Sequence, residues 1–279
     1  MKLAFNEATT LENSNLEDDL ILCEKHGFDF IEIRLDKLKE YLITHSVGDL
    51  QNFFSSANLK PLSLNALEEF TFRNQTEFNL MKQDLSLMSE VATAIDCDTI
   101  VAVPTFGIEK DWEEIKRETV VRLREFLDLI KGTDLKLALE FVGYPDCSIN
   151  TLDKAQEVVE VVGNPQVGLV LDCFHFYAMN SSYEALKNLS IDDLFLFHID
   201  DCEGKLPGVL RDHHRLWPGE GVIPLETIIT LLYEKGFEGP ASVELFRPEY
   251  WELEAEKCIS KAKDKTIHLL EKALQKILK

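Results

Sequence analysis

No run of apolar residues in this 279-residue chain approaches the roughly 18 needed to cross a bilayer, which speaks against a transmembrane helix. The opening segment, MKLAFNEATTLENSNLEDDL, also lacks a charged region leading into a long apolar stretch and a small-residue cleavage site. A soluble, cytoplasmic protein is the expectation. Basic residues are in short supply: 29 Lys and Arg against 50 Asp and Glu leave a formal net charge of −21. Affinity for nucleic acid comes mainly from Lys and Arg displacing counterions around phosphates, so DNA and RNA are not expected partners. Cysteines at CxxC spacing are missing. Cys23, Cys97, Cys147, Cys173, Cys202 and Cys258 are scattered through a chain too large to need disulfide staples, and free buried thiols are expected. Also missing are GxGxxG and GxxxxGK, the turns by which Rossmann and P-loop folds cradle phosphates; the position after the first apolar run reads NEATTLENS.

What the chain does contain is a long alternation of short apolar runs and amphipathic stretches. With 45% hydrophobic residues it can bury a full core. Eight runs read as buried parallel strands: KLAFNEA near residue 2, DFIEIRL near 29, LKPLSLNAL near 59, DTIVAVP near 98, LKLALEF near 135, VGLVLDCFH near 167, LFLFHID near 194 and ASVELF near 241. Between them, segments such as EDDLILCEKHG, DWEEIKRETVVRLREFLDLIKG and TLDKAQEVVEVVG repeat apolar residues at three- and four-residue steps, with acids in the first turn and a glycine exit. A single (β/α)8 TIM barrel over residues 1–279 is the expected fold. The last element, from about Glu252 to Lys279, reads as an amphipathic helix with Ile267, Leu270, Ala273, Leu274 and Ile277 on one side, packed on its own barrel. The long segment 200–223 reads as an active-site loop.

In such a barrel the site is built at the C-terminal ends of the strands. Glu140 in LALEF, Asp172 in LVLDCFH, His198 in FLFHIDD and Glu244 in SVELF each interrupt an apolar run at the end of a predicted strand. Any one alone is more often a scaffold residue. Four consecutive strands delivering one metal-capable side chain each to one rim is a different observation, because three clustered carboxylates repel strongly unless a cation neutralises them. The expected cofactor is one divalent metal ion. Three carboxylates and an imidazole form a hard, oxygen-rich donor set, giving the order manganese, zinc, then cobalt or magnesium.

The motifs LEFVGYP (139–145), LDCFHFY (171–177), FHIDDCEG (197–204), RLWPGEGVIPL (215–225) and SVELFRPEYW (242–251) occur in the order found in the xylose isomerase-like sugar isomerases and epimerases, and the whole chain resembles that family. Its inosose isomerase-like and hydroxypyruvate isomerase-like branch is the most similar part. Matched position by position, the resemblance implies that Glu140, Asp172, His198 and Glu244 bind the metal and that Glu140 and Glu244 also face the substrate from two sides. It further implies that His175 contacts substrate, and that Arg247 reaches a substrate hydroxyl or carboxylate. Two readings stay open for Glu32 and Arg34, which share one side of their strand: pairing inside the barrel, or facing the substrate together with Asn65. Asp200 is expected to orient His198 or Arg215 from behind, and Glu220 to fix its own loop. His213 and His214 lie in the long loop, where a lid contact is open; His26, His45 and His268 fall away from the rim.

The chemistry this implies is proton transfer next to a carbonyl, with one glutamate removing the proton and the other returning it. The partner is a small sugar or polyol, with an unphosphorylated one favoured, and a homo-oligomer is left open. Isomerase and epimerase outcomes remain open, as does an inosose or dehydroshikimate dehydratase on the same site. A non-catalytic sugar-binding barrel and an abasic-site endonuclease are the rivals; the endonuclease needs more histidines and a basic face.

Overall fold

The computed structural model describes residues 1–277. Eight parallel strands close into a barrel: β1 (Leu3–Asn6), β2 (Phe30–Arg34), β3 (Lys60–Glu68), β4 (Thr99–Val103), β5 (Lys136–Glu140), β6 (Val167–Asp172), β7 (Leu194–Ile199) and β8 (Ala241–Val243). The seam between first and last strands is sealed by pairing Leu3 with Ala241 and Phe5 with Val243. Period-two alternation decides what enters the lumen. Ala138, Val170 and Leu196 form an apolar plug with Ala66 and Val101, and each stands two residues before a site residue, Glu140, Asp172 or His198. The site therefore rests on a packed floor.

The outward faces of the strands bury against the surrounding helices in one continuous core. Those helices are α1 (Leu16–His26), α2 (Leu35–Thr44), α3 (Val47–Ser56), α4 (Gln75–Ile95), α5 (Trp112–Leu129), α6 (Leu152–Val162), α7 (Cys173–Ala178), α8 (Tyr183–Asn188), α9 (Leu225–Glu234), α10 (Pro248–Trp251) and α11 (Ala255–Ile277). Their ends carry the chemistry that starts and stops helices: Asn15 and Asp111 cap N-termini, Ser46 with Asp49 and Asn74 with Glu77 form capping boxes, and Gly27 and Gly163 close α1 and α6 in the left-handed conformation. The final helix packs on α1, α9 and β1, as expected. It begins three residues later than predicted because α10 takes the preceding turn; positions 278 and 279 of the predicted span lie outside the described residues.

Two departures matter for the site. The predicted sixth strand, VGLVLDCFH, stops at Asp172, and Cys173 opens α7 at once, because the Asp172 carboxylate caps that helix by accepting from His175 N–H at 2.7 Å. Segment 200–223 is an ordered hairpin, with Asp201–Cys202 pairing antiparallel to Arg215–Leu216. Asp201 pins it: one carboxylate oxygen accepts from Cys202 N–H and Ile223 N–H, both at 2.9 Å, and the other from Gly221 N–H at 2.8 Å. All six cysteines are free and buried, and no helix among the described residues is long and apolar enough to cross a membrane.

The loop after β5 crosses the turn that carries His175 so closely that a Cβ on Gly143 would lie 2.8 Å from His175 Cα and nearer still to its carbonyl oxygen. Replacing Gly143 by alanine therefore forces two backbones apart. We expect Gly143→Ala to cost about 1–3 kcal/mol in denaturant unfolding; a loss below about 0.5 kcal/mol, the range of neutral surface changes, would show that the loop has room to yield.

Candidate metal and active site

Glu140 ends β5, Asp172 ends β6, His198 is the penultimate residue of β7, and Glu244 follows β8. Strand register brings them together: Asp172 pairs with His198, and His198 with Ser242, two residues before Glu244. One ligand atom from each of the four lies within 4.8 Å of every other. All four are buried. His198 Nδ1 stands 3.2 Å from Glu244, 3.3 Å from Glu140 and 3.7 Å from Asp172.

The fit to a cation can be tested on the donors themselves. Glu140 Oε1 and His198 Nδ1 are buried without a hydrogen-bond partner, whereas buried polar atoms are nearly always paired. Five carboxylates are buried here, Glu32, Glu140, Asp172, Asp200 and Glu244, and the one buried guanidinium, Arg215, lies beside only Asp172, Asp200 and Glu244 of them. Burial and the neighbouring Glu244 charge push Glu140 up to about 8. Burial works against a charged His198, yet Glu32, Glu244 and Glu140 outweigh it and raise its pKa. Orphaned donors and surplus negative charge fit a divalent cation held by Glu140, Asp172, His198 and Glu244.

Arg215 reaches the cluster from the hairpin. Its Nη1 donates to Asp172 at 2.7 Å and to Asp200, and lies 3.5 Å from Glu244. Although burial disfavours its charge, Asp172 is held well below the usual carboxylate range by Arg215, with His175 and His198 adding to it. Asp200 is pushed the other way by burial and by the Asp172 charge. The expectation that Asp200 orients His198 or Arg215 resolves geometrically to Arg215. The second guanidinium nitrogen meets His175 Nε2 at 3.1 Å. Because a guanidinium only donates, Nε2 accepts and the ring hydrogen sits on Nδ1, which has no protein partner. Burial, reinforced by the Arg215 charge, keeps this imidazole neutral by lowering its pKa.

A cavity of about 190 Å3 opens over the cluster, walled by Glu140, Glu244, His175, Asn65 and Arg34. Asn65 Nδ2 is a second buried donor without a partner. Glu68, Glu69, Asp212, Tyr144, Phe106 and Phe246 also line the wall, and none of them stood out in the sequence. Three positions, Glu32, Arg247 and Glu220, differ from expectation. Glu32 neither pairs with Arg34 nor reaches the cavity: it lies wholly buried beneath the cluster, accepting from Ser63 Oγ at 2.6 Å and facing His198 Nε2 at 3.1 Å. Burial opposes its ionisation, but His198, Ser242 and Ser63 prevail and lower its pKa. Arg34 instead pairs with Asp36 at 3.0 Å and approaches Glu68 at 3.7 Å. Arg247 points away from the cavity, donating to Glu203 at 3.0 Å and to the His213 and Arg215 carbonyls at 3.2 Å, so that it clasps the hairpin. Glu220 pairs with Lys265 of α11 at 2.7 Å rather than within its own loop.

Comparison with known proteins agrees with the barrel fold. The chain is 47% identical over 274 residues to the inosose isomerase of Halalkalibacterium halodurans, covering 98% of this chain and 97% of that one. It is 48% identical to the inosose isomerase of Bacillus subtilis strain 168, covering 98% and 99%. The crystal structure of an IolI protein with a zinc atom superposes with a TM-score of 0.94 at 48% identity, over 98% of this chain and 99% of that one. The family model for xylose isomerase-like TIM barrels matches residues 20–266. The chain belongs to the xylose isomerase-like TIM barrel family.

Proposed function

We propose that this protein is a divalent-metal-dependent inosose isomerase, moving a carbonyl between neighbouring carbons of a cyclic keto-polyol. The observation that carries the reading is the buried Glu140, Asp172, His198, Glu244 cluster beneath a small polar cavity. The relatives' name selects isomerisation over epimerisation and dehydration. Ligand chemistry alone puts manganese first; the zinc atom of the IolI structure moves zinc ahead of it.

The chemistry supplied by a bound divalent cation is polarisation of the substrate carbonyl and the adjacent hydroxyl. The chain's residues do the rest. Glu140, made basic by burial and by Glu244, takes the proton from the hydroxyl-bearing carbon next to the carbonyl. Glu244, held by Asn6 Nδ2 at 2.8 Å, stands on the other side and returns a proton taken up from solvent to the former carbonyl carbon, while Glu140 gives up its own to solvent to reset the site. One C–H bond breaks and one forms, and a hydroxyl proton passes from one oxygen to its neighbour, so no oxidant is required. His175, neutral and with Nδ1–H free, serves as the donor to a substrate oxygen. Asn65 offers a further donor, while Glu68, Glu69 and Asp212 accept from hydroxyls and repel a phosphate. An uncharged ring bearing many hydroxyls suits these walls.

Elemental analysis of the purified protein should find roughly one zinc or manganese per chain, lost in a His198→Ala variant. Stability gives the sign of the pH dependence. A metal-free fold in which Glu140 is raised to about 8, and His198 is raised too, is most stable with both protonated and loses that stability as pH climbs. A cation needs both deprotonated, so the rise in melting temperature on adding zinc should grow between about pH 6 and pH 8. A shift independent of pH, or no metal bound under any condition, would sink the metal-centre reading.

Incubated with an inosose in deuterated water, the enzyme should wash deuterium into the substrate ring alongside isomer formation. Glu140→Gln should lower kcat by about 10²–10⁴-fold, the usual worth of a positioned general base. Binding of the inosose without exchange or turnover would favour a non-catalytic barrel, and loss of water from it a dehydratase.

A further inference from the structure

Glu32 is a fully buried carboxylate that does not line the cavity over the cluster and takes no part in the proton transfers described above. It sits in the barrel lumen on the side of His198 opposite the other three ligands. Three groups converge on it from three strands: Ser63 Oγ of β3 at 2.6 Å, Ser242 Oγ of β8, and His198 Nε2 of β7, at 3.1 Å from one oxygen and 3.3 Å from the other. A carboxylate accepts and never donates, so each of these neighbours must supply a hydrogen. For the neutral imidazole that a cation requires, this leaves one arrangement, with the hydrogen on Nε2 and the lone pair on Nδ1. That nitrogen is the one 3.2 to 3.7 Å from Glu244, Glu140 and Asp172 and without a hydrogen-bond partner. Two serine hydroxyls meanwhile occupy acceptor positions on Glu32, so the carboxylate cannot turn away from the ring.

We propose that Glu32 is a positioning residue for the metal centre: by accepting from His198 Nε2–H it selects Nδ1 as the ligand atom, locks the ring plane, and sets the affinity of the centre for a divalent cation. The inference rests on the metal site of the proposed function and adds to it the device that prepares the one nitrogen ligand. Removing such a carboxylate partner typically weakens metal binding by about 10–100-fold.

Glu32→Gln is the test, because glutamine keeps the shape while removing the negative charge and replacing one of the two acceptor oxygens by a donor. Zinc affinity of the folded variant, measured by chelator competition, should fall by about 10–100-fold, a readout independent of turnover. On the parent protein loaded with NMR-active cadmium, coupling from the metal should appear at His198 Nδ1, with the ring hydrogen on Nε2. A variant affinity within about threefold of the parent overturns the proposal while leaving the isomerase reading intact. Should the variant not fold, the cadmium measurement decides alone: coupling at Nε2 overturns the proposal, and coupling at Nδ1 with the hydrogen on Nε2 upholds it. A parent that binds no metal at all removes both readings together.

Discussion

Mutual repulsion among Glu140, Asp172 and Glu244, held together out of water at the mouth of the barrel, is the constraint around which the rest of this structure is arranged. Like charges at this spacing in a poorly screened site are expensive, and a fold tolerates them only when its framework fixes them and something positive answers them. The framework is the period-two alternation of the strands, which places Glu140, Asp172 and His198 one step above the apolar plug of Ala138, Val170 and Leu196. The positive answer within the chain is Arg215, delivered by the hairpin that Asp201 pins and Arg247 clasps. Gly221 is required there: a Cβ on it would run into the Asp201 carboxyl group and the Cys202 carbonyl. The hairpin is thus as much a part of the site as the strands are.

The two histidines of the site divide their work through their partners. His198 faces a carboxylate, Glu32, and so, when neutral, turns a lone pair toward the cluster. His175 faces a guanidinium, Arg215, and so turns an N–H away from it. The same side chain becomes a ligand in one place and a hydrogen-bond donor in the other, with the difference set by whether the group behind it can only accept or only donate. Asp172 ties the two together, since one carboxylate oxygen caps α7 at His175 N–H while the other meets Arg215.

The barrel and the clustering of Glu140, Asp172, His198 and Glu244 were legible because a polar residue that ends an apolar run is conspicuous, and four in succession at the same end of predicted strands is a pattern. Glu32 interrupts its strand in the same way, but nothing in the order of residues tells a lumen carboxylate from a cavity one; Ser63 and Ser242, which define its role, are ordinary strand serines. Arg247 sits within a well-matched motif and still turns outward, because Glu203 and two carbonyls of the hairpin outbid the cavity for its donors. The far wall was hidden for another reason. Glu68 and Glu69 end β3 as a pair of acids that reads as a solvated loop, and Tyr144, Phe106 and Phe246 come from connections whose course depends on the assembled barrel. What the pattern of residues encodes well is the strand end; what it encodes poorly is the direction a loop side chain takes once several elements compete for it.

The distribution of positive charge also supports the proposal of Glu140 as the base. Arg215 lies against Asp172 and within 3.5 Å of Glu244, while among the described ion pairs Glu140 has no partner but His198. Asp172 is therefore ionised with or without a metal, and its role is fixed as ligand and helix cap. Glu140 keeps a strong affinity for a proton, pushed up to about 8 by burial and by Glu244. A general base works best when its pKa lies near the working pH, since it is then free to accept a proton and still gains by doing so. Had Arg215 been placed beside Glu140, that carboxylate would be as weak a base as Asp172, and the cluster would hold a cation without the means to move a proton. The site's capacity for proton transfer follows from the one carboxylate that the arginine leaves alone.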